Sequence, residues 1–218
     1  MIQYFDDFVT GTLKKDIQDV VFASNNFLWQ YKQYTSSSQY APNFSFYDDE
    51  KTKDTMQLVH VVDSNNSDDM SLISPLLYKI SDLVGYKLQI IRTKFNMLLP
   101  EANRPIDTYH RPHVDHGDIQ AKTLIYYVND CDGDTIIFDK TYTGEDPKKL
   151  EIAKRITPKA GSAVLFDSNI YHASSAPTQG PRSVINFIFL PVRDNGTGGD
   201  PSIPPLPTNF PGKGFNKL

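Results

Sequence analysis

The chain has 218 residues, enough for one domain with a sizeable core, and its formal net charge of −4 gives no electrostatic footprint for nucleic acid. Its single cysteine, Cys131, excludes an internal disulfide framework and fits a reducing compartment, so we expect a small, unreactive turn residue there. The N-terminus lacks the features of a signal peptide, and no apolar run approaches the ~18 residues of a membrane span. We therefore expect a cytoplasmic protein that makes no use of a membrane.

Mixed secondary structure is predicted ahead of the main β region. Apolar residues at helical spacing predict a first helix over residues 12–22. A β-branched run predicts a strand over residues 56–62, and His60 within it is expected to be structural and not a ligand. Ser67 and the two acidic residues after it predict the start of a second helix, which Gly85 ends. We expect both helices to pack against the outside of a β barrel.

An aromatic-rich stretch lies between the two predicted helices. Its aromatic residues are Trp29, Tyr31, Tyr34, Tyr40, Phe44, Phe46 and Tyr47. Aromatic side chains bury a large apolar area, and tyrosine and tryptophan also carry a polar group at one end. The stretch is interpreted either as the lining of a substrate groove or as a cover for the open end of a barrel.

From residue 88 onward the sequence changes to short apolar runs separated by turn residues. The predicted strands are residues 88–95, 123–129, 135–138, 163–166 and 183–190. Alternation places Ile125 and Tyr127 on one face of their strand and Leu124 and Tyr126 on the other. Short strands at this pitch are typical of an all-β barrel or sandwich.

Two insertions interrupt the predicted strands, at residues 96–112 and 139–157. Long loops inside compact domains are usually binding loops or lids, so we expect both to flank the mouth of the functional pocket. The charged segment 148–155 within the second insertion is equally well interpreted as a short solvated helix.

A candidate metal-binding motif, His113-Val114-Asp115, follows the first insertion. Side chains two positions apart on a strand point to the same side, so His113 and Asp115 can reach one metal while Val114 packs on the opposite face. An isolated motif of this kind is a weak signal. Its value depends on the residues that follow it in the chain.

A competing motif, His116-Gly117-Asp118, lies in the same stretch. Glycine often marks a bend, whereas valine favours a strand, so the first motif is the better candidate for the ligands. His110 and His116 are then expected to be solvated loop histidines.

The second half of the candidate site is His172, followed ten positions later by Arg182. Two imidazoles and one carboxylate form the facial set that holds Fe(II) with open positions. Arg182 begins the last apolar strand and shares a face with Val184 and Asn186. Its planar guanidinium can clamp the far carboxylate of a dicarboxylic cosubstrate bidentately.

Together these segments resemble the 2-oxoglutarate- and Fe(II)-dependent oxygenases, in the prolyl 4-hydroxylase-like branch. The resemblance covers about residues 88–192 and rests on the two metal motifs, the strand 124–129, the turn 133–135 and the approach 160–166 to the distal histidine. It implies a mainly β fold with flanking helices, namely a double-stranded β-helix of the jelly-roll or cupin-like kind.

The resemblance also implies the cofactors and the residues that bind them. Fe(II) would be held by His113, Asp115 and His172, and 2-oxoglutarate by Arg182 and Tyr127. O2 would be the oxidant, with ascorbate as a candidate reductant. The carboxylate of Asp115 favours hydroxylation over halogenation, because related halogenases have a small residue at this position.

Substrate identity stays open at this point, with a peptidyl proline and a small molecule as the candidates. Two other functions also remain: a non-catalytic jelly-roll module with a relic metal site, and a cupin-type metal protein that does not use 2-oxoglutarate. We expect a single domain over residues 1–218, with residues 1–87 supporting a core over 88–192. The Pro- and Gly-rich tail, 193–218, is expected to lie extended against the domain or a neighbouring chain, where it could join an oligomer.

Overall fold

The computed structural model describes residues 1–36, 51–105, 107–145 and 147–192 of the chain. Within these residues the elements are β1 (Ile2–Phe5), α1 (Gly11–Ala23), β2 (Gln30–Lys32), β3 (Gln57–Val61), α2 (Ser67–Val84), β4 (Lys87–Leu98), β5 (Lys122–Tyr127), β6 (Thr135–Thr141), β7 (Ile152–Ile156), β8 (Ala163–Asp167), β9 (Ile170–Ser174) and β10 (Arg182–Val192). The predicted helices and core strands are present, with ends that differ by a few residues.

The strands form two antiparallel sheets. The larger sheet has the order β1-β8-β5-β10-β4-β3-β2, and the smaller sheet has the order β7-β6-β9. The two sheets share a buried cluster in which Ile125, Phe166 and Val184 of the large sheet pack with Ile137 and Ile170 of the small one. Their facing surfaces therefore enclose the interior of the domain.

The outer face of the large sheet is covered by the two helices. Leu124 and Tyr126 of β5 belong to one buried cluster with Ile17 of α1 and with Ile73 and Leu76 of α2. The alternation predicted for β5 is confirmed, since its odd-numbered residues face the small sheet and its even-numbered residues face the helices. The predicted packing of the helices on the outside of the barrel is confirmed as well.

Helix α2 has a defined cap at each end. The Asn66 side chain accepts hydrogen bonds from the backbone N–H groups of Asp68 and Asp69, which satisfies two donors of the first turn. Gly85 ends the helix at φ 71°, a left-handed conformation that favours glycine, and its N–H donates to the Ser81 carbonyl. The predicted stop at Gly85 is confirmed, while the cap at Asn66 lies one residue before the predicted start.

His60 is a structural residue, as predicted. Its Nδ1 lies 2.9 Å from the Leu28 carbonyl oxygen, and its Nε2 lies 2.9 Å from Asp69 Oδ1. The ring also stacks at 4.4 Å, centroid to centroid, against Phe27. These contacts join β3 to the start of α2 and to the segment before β2.

The charged segment 148–155 is not a helix, so that interpretation was wrong. Its second half belongs to β7, which pairs with β6 at the edge of the small sheet. Residues 152–155 are exposed and Ile156 is buried. Charged side chains are common on such edges because they discourage pairing with other chains, so the charge pattern did not distinguish an edge strand from a solvated helix.

No helix in the described ranges is long and apolar enough to cross a membrane. The tail 193–218, with its predicted contact to the domain or to another chain, lies outside the described residues.

Candidate metal and cosubstrate site

Three potential metal ligands meet between the two sheets. The candidate ligand atoms of His113, Asp115 and His172 all lie within 4.8 Å of one another. His172 is the central residue of β9, and His113 joins the same edge through an antiparallel bridge. The His113 N–H donates to the His172 carbonyl at 2.9 Å, and the His172 N–H donates to the His113 carbonyl at 2.8 Å. This backbone pair sets the two imidazoles side by side, with ring centroids 4.5 Å apart.

Both imidazoles are oriented by backbone carbonyl groups. His113 Nδ1 lies 3.1 Å from the Arg111 carbonyl oxygen, and His172 Nδ1 lies 3.0 Å from the Ile170 carbonyl oxygen. A carbonyl oxygen can only accept, so each Nδ1 carries a proton, which leaves Nε2 as the candidate ligand atom of each ring. Burial lowers the pKa of His113 to about 3, with His172 acting in the same direction. His113 is therefore neutral near pH 7, as a metal ligand must be.

Asp115 is held by three side chains from the large sheet. It accepts from Thr123 Oγ1 at 3.0 Å, from Arg92 Nη2 at 3.1 Å and from Asn186 Nδ2 at 3.1 and 3.3 Å. Burial alone would raise its pKa, but His172 and Arg92 outweigh burial and hold the pKa well below its ordinary value. Asp115 is thus ionised. Val114 points away, fully buried in a separate cluster, as predicted, although the motif forms only an isolated bridge at His113 and not the predicted strand.

The donor set fits a divalent metal. Two imidazoles and one ionised carboxylate are the ligands of a facial Fe(II) site, and they leave part of the coordination sphere open. The carboxylate and imidazoles are already aligned by the hydrogen bonds that surround them. Such supporting contacts are typical of metal sites.

Arg182 is the first residue of β10 and only 3% exposed. Its Nε donates to the Gly133 carbonyl at 2.8 Å, and its Nη2 donates to Thr135 Oγ1 at 2.7 Å. Within the described ranges no carboxylate lies within 4.0 Å of its guanidinium, and burial lowers its pKa from the ordinary value. These two bonds leave donors of the guanidinium fork for a ligand.

The turn before β6 is built to fit Arg182. A Cβ atom on Gly133 would lie 2.6 Å from the Ser175 carbonyl oxygen and 2.9 Å from Arg182 Cδ. Only glycine therefore allows the backbone to approach the arginine so closely. The Tyr127 hydroxyl donates to Thr135 Oγ1 at 2.9 Å, so Tyr127 touches Arg182 through Thr135. Thr135 is a site residue that the sequence did not single out.

A cavity of about 320 Å³ connects the metal ligands with Arg182. Alternate residues of β10 and β4 line it, namely Arg182, Val184, Asn186, Arg92, Lys94, Asn96 and Leu98. The shared face predicted for Arg182, Val184 and Asn186 is confirmed. Tyr127 is fully buried behind the cavity wall, and its direct contact with a cosubstrate stays a prediction.

The second motif does not join the cluster. His116 Nδ1 accepts from the Asp118 backbone N–H, and Asp118 Oδ1 accepts from the Gln120 backbone N–H, as in a turn. His110, in contrast, is not the solvated histidine that we predicted. It is 2% exposed, its N–H donates to the Ser174 carbonyl, and burial lowers its pKa to about 3. The segment lies beside β9, and this long-range pairing covers the ring.

The two insertions do not form lids over the cavity. None of the described residues of 139–157 lines it, because that segment continues β6 and then forms the outer strand β7. In 96–112 the lining residues Asn96 and Leu98 belong to β4, whereas residues 108–111 are buried. The lid assignment is therefore wrong for the described part of both insertions.

The segment around β2 also lines the cavity. Lys32, Tyr34, Thr35 and Ser36 line it, so one end of the aromatic-rich stretch does face the site. Trp29 instead packs beside Phe27 against the core. Tyr34 therefore lines the cavity, whereas Trp29 packs on the outer face of the large sheet and does not cover an open end of the barrel. Tyr40 to Tyr47 lie outside the described residues.

Comparison with known proteins agrees with this geometry. Residues 102–190 match the family model described as the 2OG-Fe(II) oxygenase superfamily. The chain also resembles the solved structure of the non-heme alpha-ketoglutarate-dependent epimerase SnoN from nogalamycin biosynthesis, with a TM-score of 0.57 and 11% identity over 96% of this chain and 91% of the other. The comparison with curated proteins found no match.

Two further solved structures share the fold. A prolyl hydroxylase from Trichoplax adhaerens, in complex with a hypoxia inducible factor peptide, has a TM-score of 0.57 and 13% identity over 87% of this chain and 83% of the other. EctD from S. alaskensis with bound Fe has a TM-score of 0.54 and 13% identity over 87% and 72%. The predicted double-stranded β-helix is confirmed, and the segment that matches the family model contains all three candidate metal ligands and Arg182.

Proposed function

We propose that this protein is an Fe(II)- and 2-oxoglutarate-dependent dioxygenase that hydroxylates a peptide or a small molecule. The observation that carries the proposal is a buried guanidinium without a carboxylate partner among the described residues, in the same cavity as the His-Asp-His cluster. A buried charge is costly unless it is paired. The cavity thus supplies a metal site and, apart from it, a site for a carboxylate.

His113, Asp115 and His172 would hold Fe(II), and Arg182 would bind the distal carboxylate of 2-oxoglutarate. Together with O2 these cofactors supply oxidative decarboxylation coupled to oxidation of a C–H bond. Thr135 orients Arg182, and Tyr127 supports Thr135 from behind. Thr123 and Asn186 fix the plane of the Asp115 carboxylate.

Hydroxylation is the outcome that the ligand set favours. The carboxylate of Asp115 occupies the position that a halide would need, so the site as built suits oxygen transfer to substrate. The fold alone does not select a reaction, since similar structures include an epimerase and a prolyl hydroxylase at equal TM-scores. Prolyl hydroxylation is one candidate within the proposal.

A non-catalytic module or a cupin-type protein that works without 2-oxoglutarate is the alternative. Arg182 weighs against it, because neither function needs a buried guanidinium held by Gly133 and Thr135 at the end of the metal cavity. Binding of 2-oxoglutarate to protein that carries Mn(II) in place of Fe(II) separates the two possibilities without turnover.

The decisive experiment has two steps. Calorimetric titration should show that 2-oxoglutarate binds Mn(II)-loaded protein and that Arg182→Ala removes most of this affinity. Succinate release with Fe(II) and O2 should then be measured with peptides, free amino acids and other small molecules, with and without ascorbate. Absence of 2-oxoglutarate binding by metal-loaded, folded protein would overturn the proposal.

A further inference from the structure

The cavity holds more positive charge than the proposed cofactors can balance. Its described lining residues include four cationic side chains, Lys32, Arg92, Lys94 and Arg182, and one carboxylate, Asp115. A divalent metal and the dianion of 2-oxoglutarate cancel each other. An excess of three positive charges then remains. Lys32 is exposed and the Arg92 side chain is 38% exposed, so the cost of an unbalanced charge falls mainly on Lys94.

The surplus charge lies away from Arg182. In β4 every second residue from Arg92 to Leu98 faces the cavity. Leu98 pairs with Arg182 across the strands, whereas Lys94 pairs with Asn186. At about 3.4 Å per residue, the Cα atoms of Lys94 and Leu98 are roughly 14 Å apart along the strand. Asn186 binds the metal ligand Asp115, and Lys94 is the cross-strand partner of Asn186. Seen from Arg182, Lys94 therefore lies level with the metal ligands or beyond them.

Lys94 has no counter-ion of its own. Within the described ranges its side chain makes no hydrogen bond and no ion pair. Burial, together with the neighbouring charges of Arg92 and Lys32, lowers its pKa to about 8 against the opposing effect of Asp115. The lysine still carries its proton near pH 7, so an anion beside it would relieve both the burial and the repulsion.

Arg92 and two amide groups complete this part of the cavity. Arg92 Nη2 is bound to Asp115, but its buried Nε has no hydrogen-bond partner within the described ranges. The same holds for Asn186 Oδ1, whose amide nitrogen is turned toward Asp115, and for Asn96 Oδ1. The region therefore offers cationic donors for an anion and carbonyl acceptors for a neighbouring N–H or O–H group.

We propose that the substrate carries a carboxylate or a phosphate and that Lys94, with Arg92 and Lys32, binds this group on the side of the metal opposite Arg182. The proposal rests on the proposed function, since it assigns Arg182 to 2-oxoglutarate. The cavity of about 320 Å³ would also hold 2-oxoglutarate, so the room left beside the metal suits only a small molecule or one side chain of a peptide. The anion would fix the orientation of the substrate and leave its reacting carbon near the metal.

The test uses the full chain with Mn(II) and saturating 2-oxoglutarate under anaerobic conditions, so that Arg182 is occupied and no turnover occurs. Inorganic phosphate and acetate are then titrated by calorimetry at constant ionic strength. Wild type should bind at least one of them, and Lys94→Met should weaken that binding at least tenfold. Lys94→Arg should keep most of it. Lys32→Met should weaken it to a smaller degree and provides a second variant should Lys94→Met fail to fold.

Lys154→Met is the matched control, because it removes the same charge from β7, outside the cavity. It should bind phosphate and acetate as wild type does. Equal anion binding by wild type and both cavity variants, or no anion binding by wild type, would overturn the substrate assignment. So would a loss of 2-oxoglutarate affinity in Lys94→Met as large as in Arg182→Ala, because Lys94 would then serve the cosubstrate. Failure of wild type to bind 2-oxoglutarate would instead overturn the proposed function, and it is measured first.

Discussion

Asn186 in β10 donates its amide to both oxygens of Asp115, at 3.1 and 3.3 Å. The carboxylate is thereby held in one plane before any metal binds. Because the amide nitrogen lies on the interior wall of the large sheet, this contact fixes the position of the motif segment relative to β10. A single hydrogen-bonding side chain thus joins the metal ligands to the strand that starts with Arg182.

Asn186→Ala should lower metal affinity on the order of 10- to 100-fold, as is typical when a residue that orients a ligand is removed. Competition with a fluorescent chelator for Mn(II) measures the change. Asn65→Ala is the control, since that amide lies in an exposed loop and bonds Asp63. Equal metal affinity in Asn186→Ala and wild type would show that Thr123 and Arg92 hold Asp115 without it.

Replacement of the proposed ligands should abolish metal binding. His113→Ala, Asp115→Ala and His172→Ala each remove one of the three candidate donors. His116→Ala and Asp118→Ala change the neighbouring turn and should keep the affinity of wild type. Mn(II) binding, read by electron paramagnetic resonance, gives the result without turnover. Metal binding that depends on His116 and Asp118 instead would mean that the ligand register is wrong.

Arg182→Ala should weaken 2-oxoglutarate binding by about 3–5 kcal/mol, the usual loss when one partner of a buried ion pair is removed. Arg182→Lys should keep part of the affinity, because a point charge remains but the fork is lost. Tyr127→Phe should weaken the free energy of 2-oxoglutarate binding by only about 0.5–1.5 kcal/mol, because it removes one hydrogen bond to Thr135, which orients Arg182. Calorimetry on Mn(II)-loaded protein would rank the three, and a Tyr127→Phe effect as large as that of Arg182→Ala would indicate direct contact with the cosubstrate.

The metal-free protein should lose stability as the pH falls below about 6.5. Burial lowers the pKa of His110 to about 3 in the folded state, whereas an unfolded histidine has a pKa near 6.5. Between these values the unfolded chain binds more protons, so the free energy of unfolding decreases with falling pH throughout this window. His113 acts in the same direction.

His110→Gln should flatten this dependence, because it removes a group that must charge on unfolding. Denaturant titrations at pH 7.5, 6.5, 5.5 and 4.5 would measure the slope, with His116→Gln in the half-buried turn as the control. An unchanged slope in His110→Gln would show that the pKa of His110 is the same in the folded and the unfolded chain, which would contradict the prediction.

The sequence predicted the parts of the site that depend on local periodicity. The faces of β5 and β10 follow from alternation, and the ligand motif follows from the opposition of Val114 to His113 and Asp115. The inward positions of Arg92, Lys94 and Asn96 were not assigned, because they depend on the register between β4 and β10, which is a long-range property. For the same reason the burial of His110 beside β9 was not foreseen.

The paired backbone of His113 and His172 has a consequence for folding. These residues are far apart in sequence and are joined by a single bridge outside the regular ladders. A metal bound by both side chains would act as a cross-link between the segment after β4 and the small sheet, and the unfolded chain has no preformed equivalent. Metal should therefore raise the melting temperature in proportion to the logarithm of its concentration. The stability of the folded chain would then depend on the supply of iron.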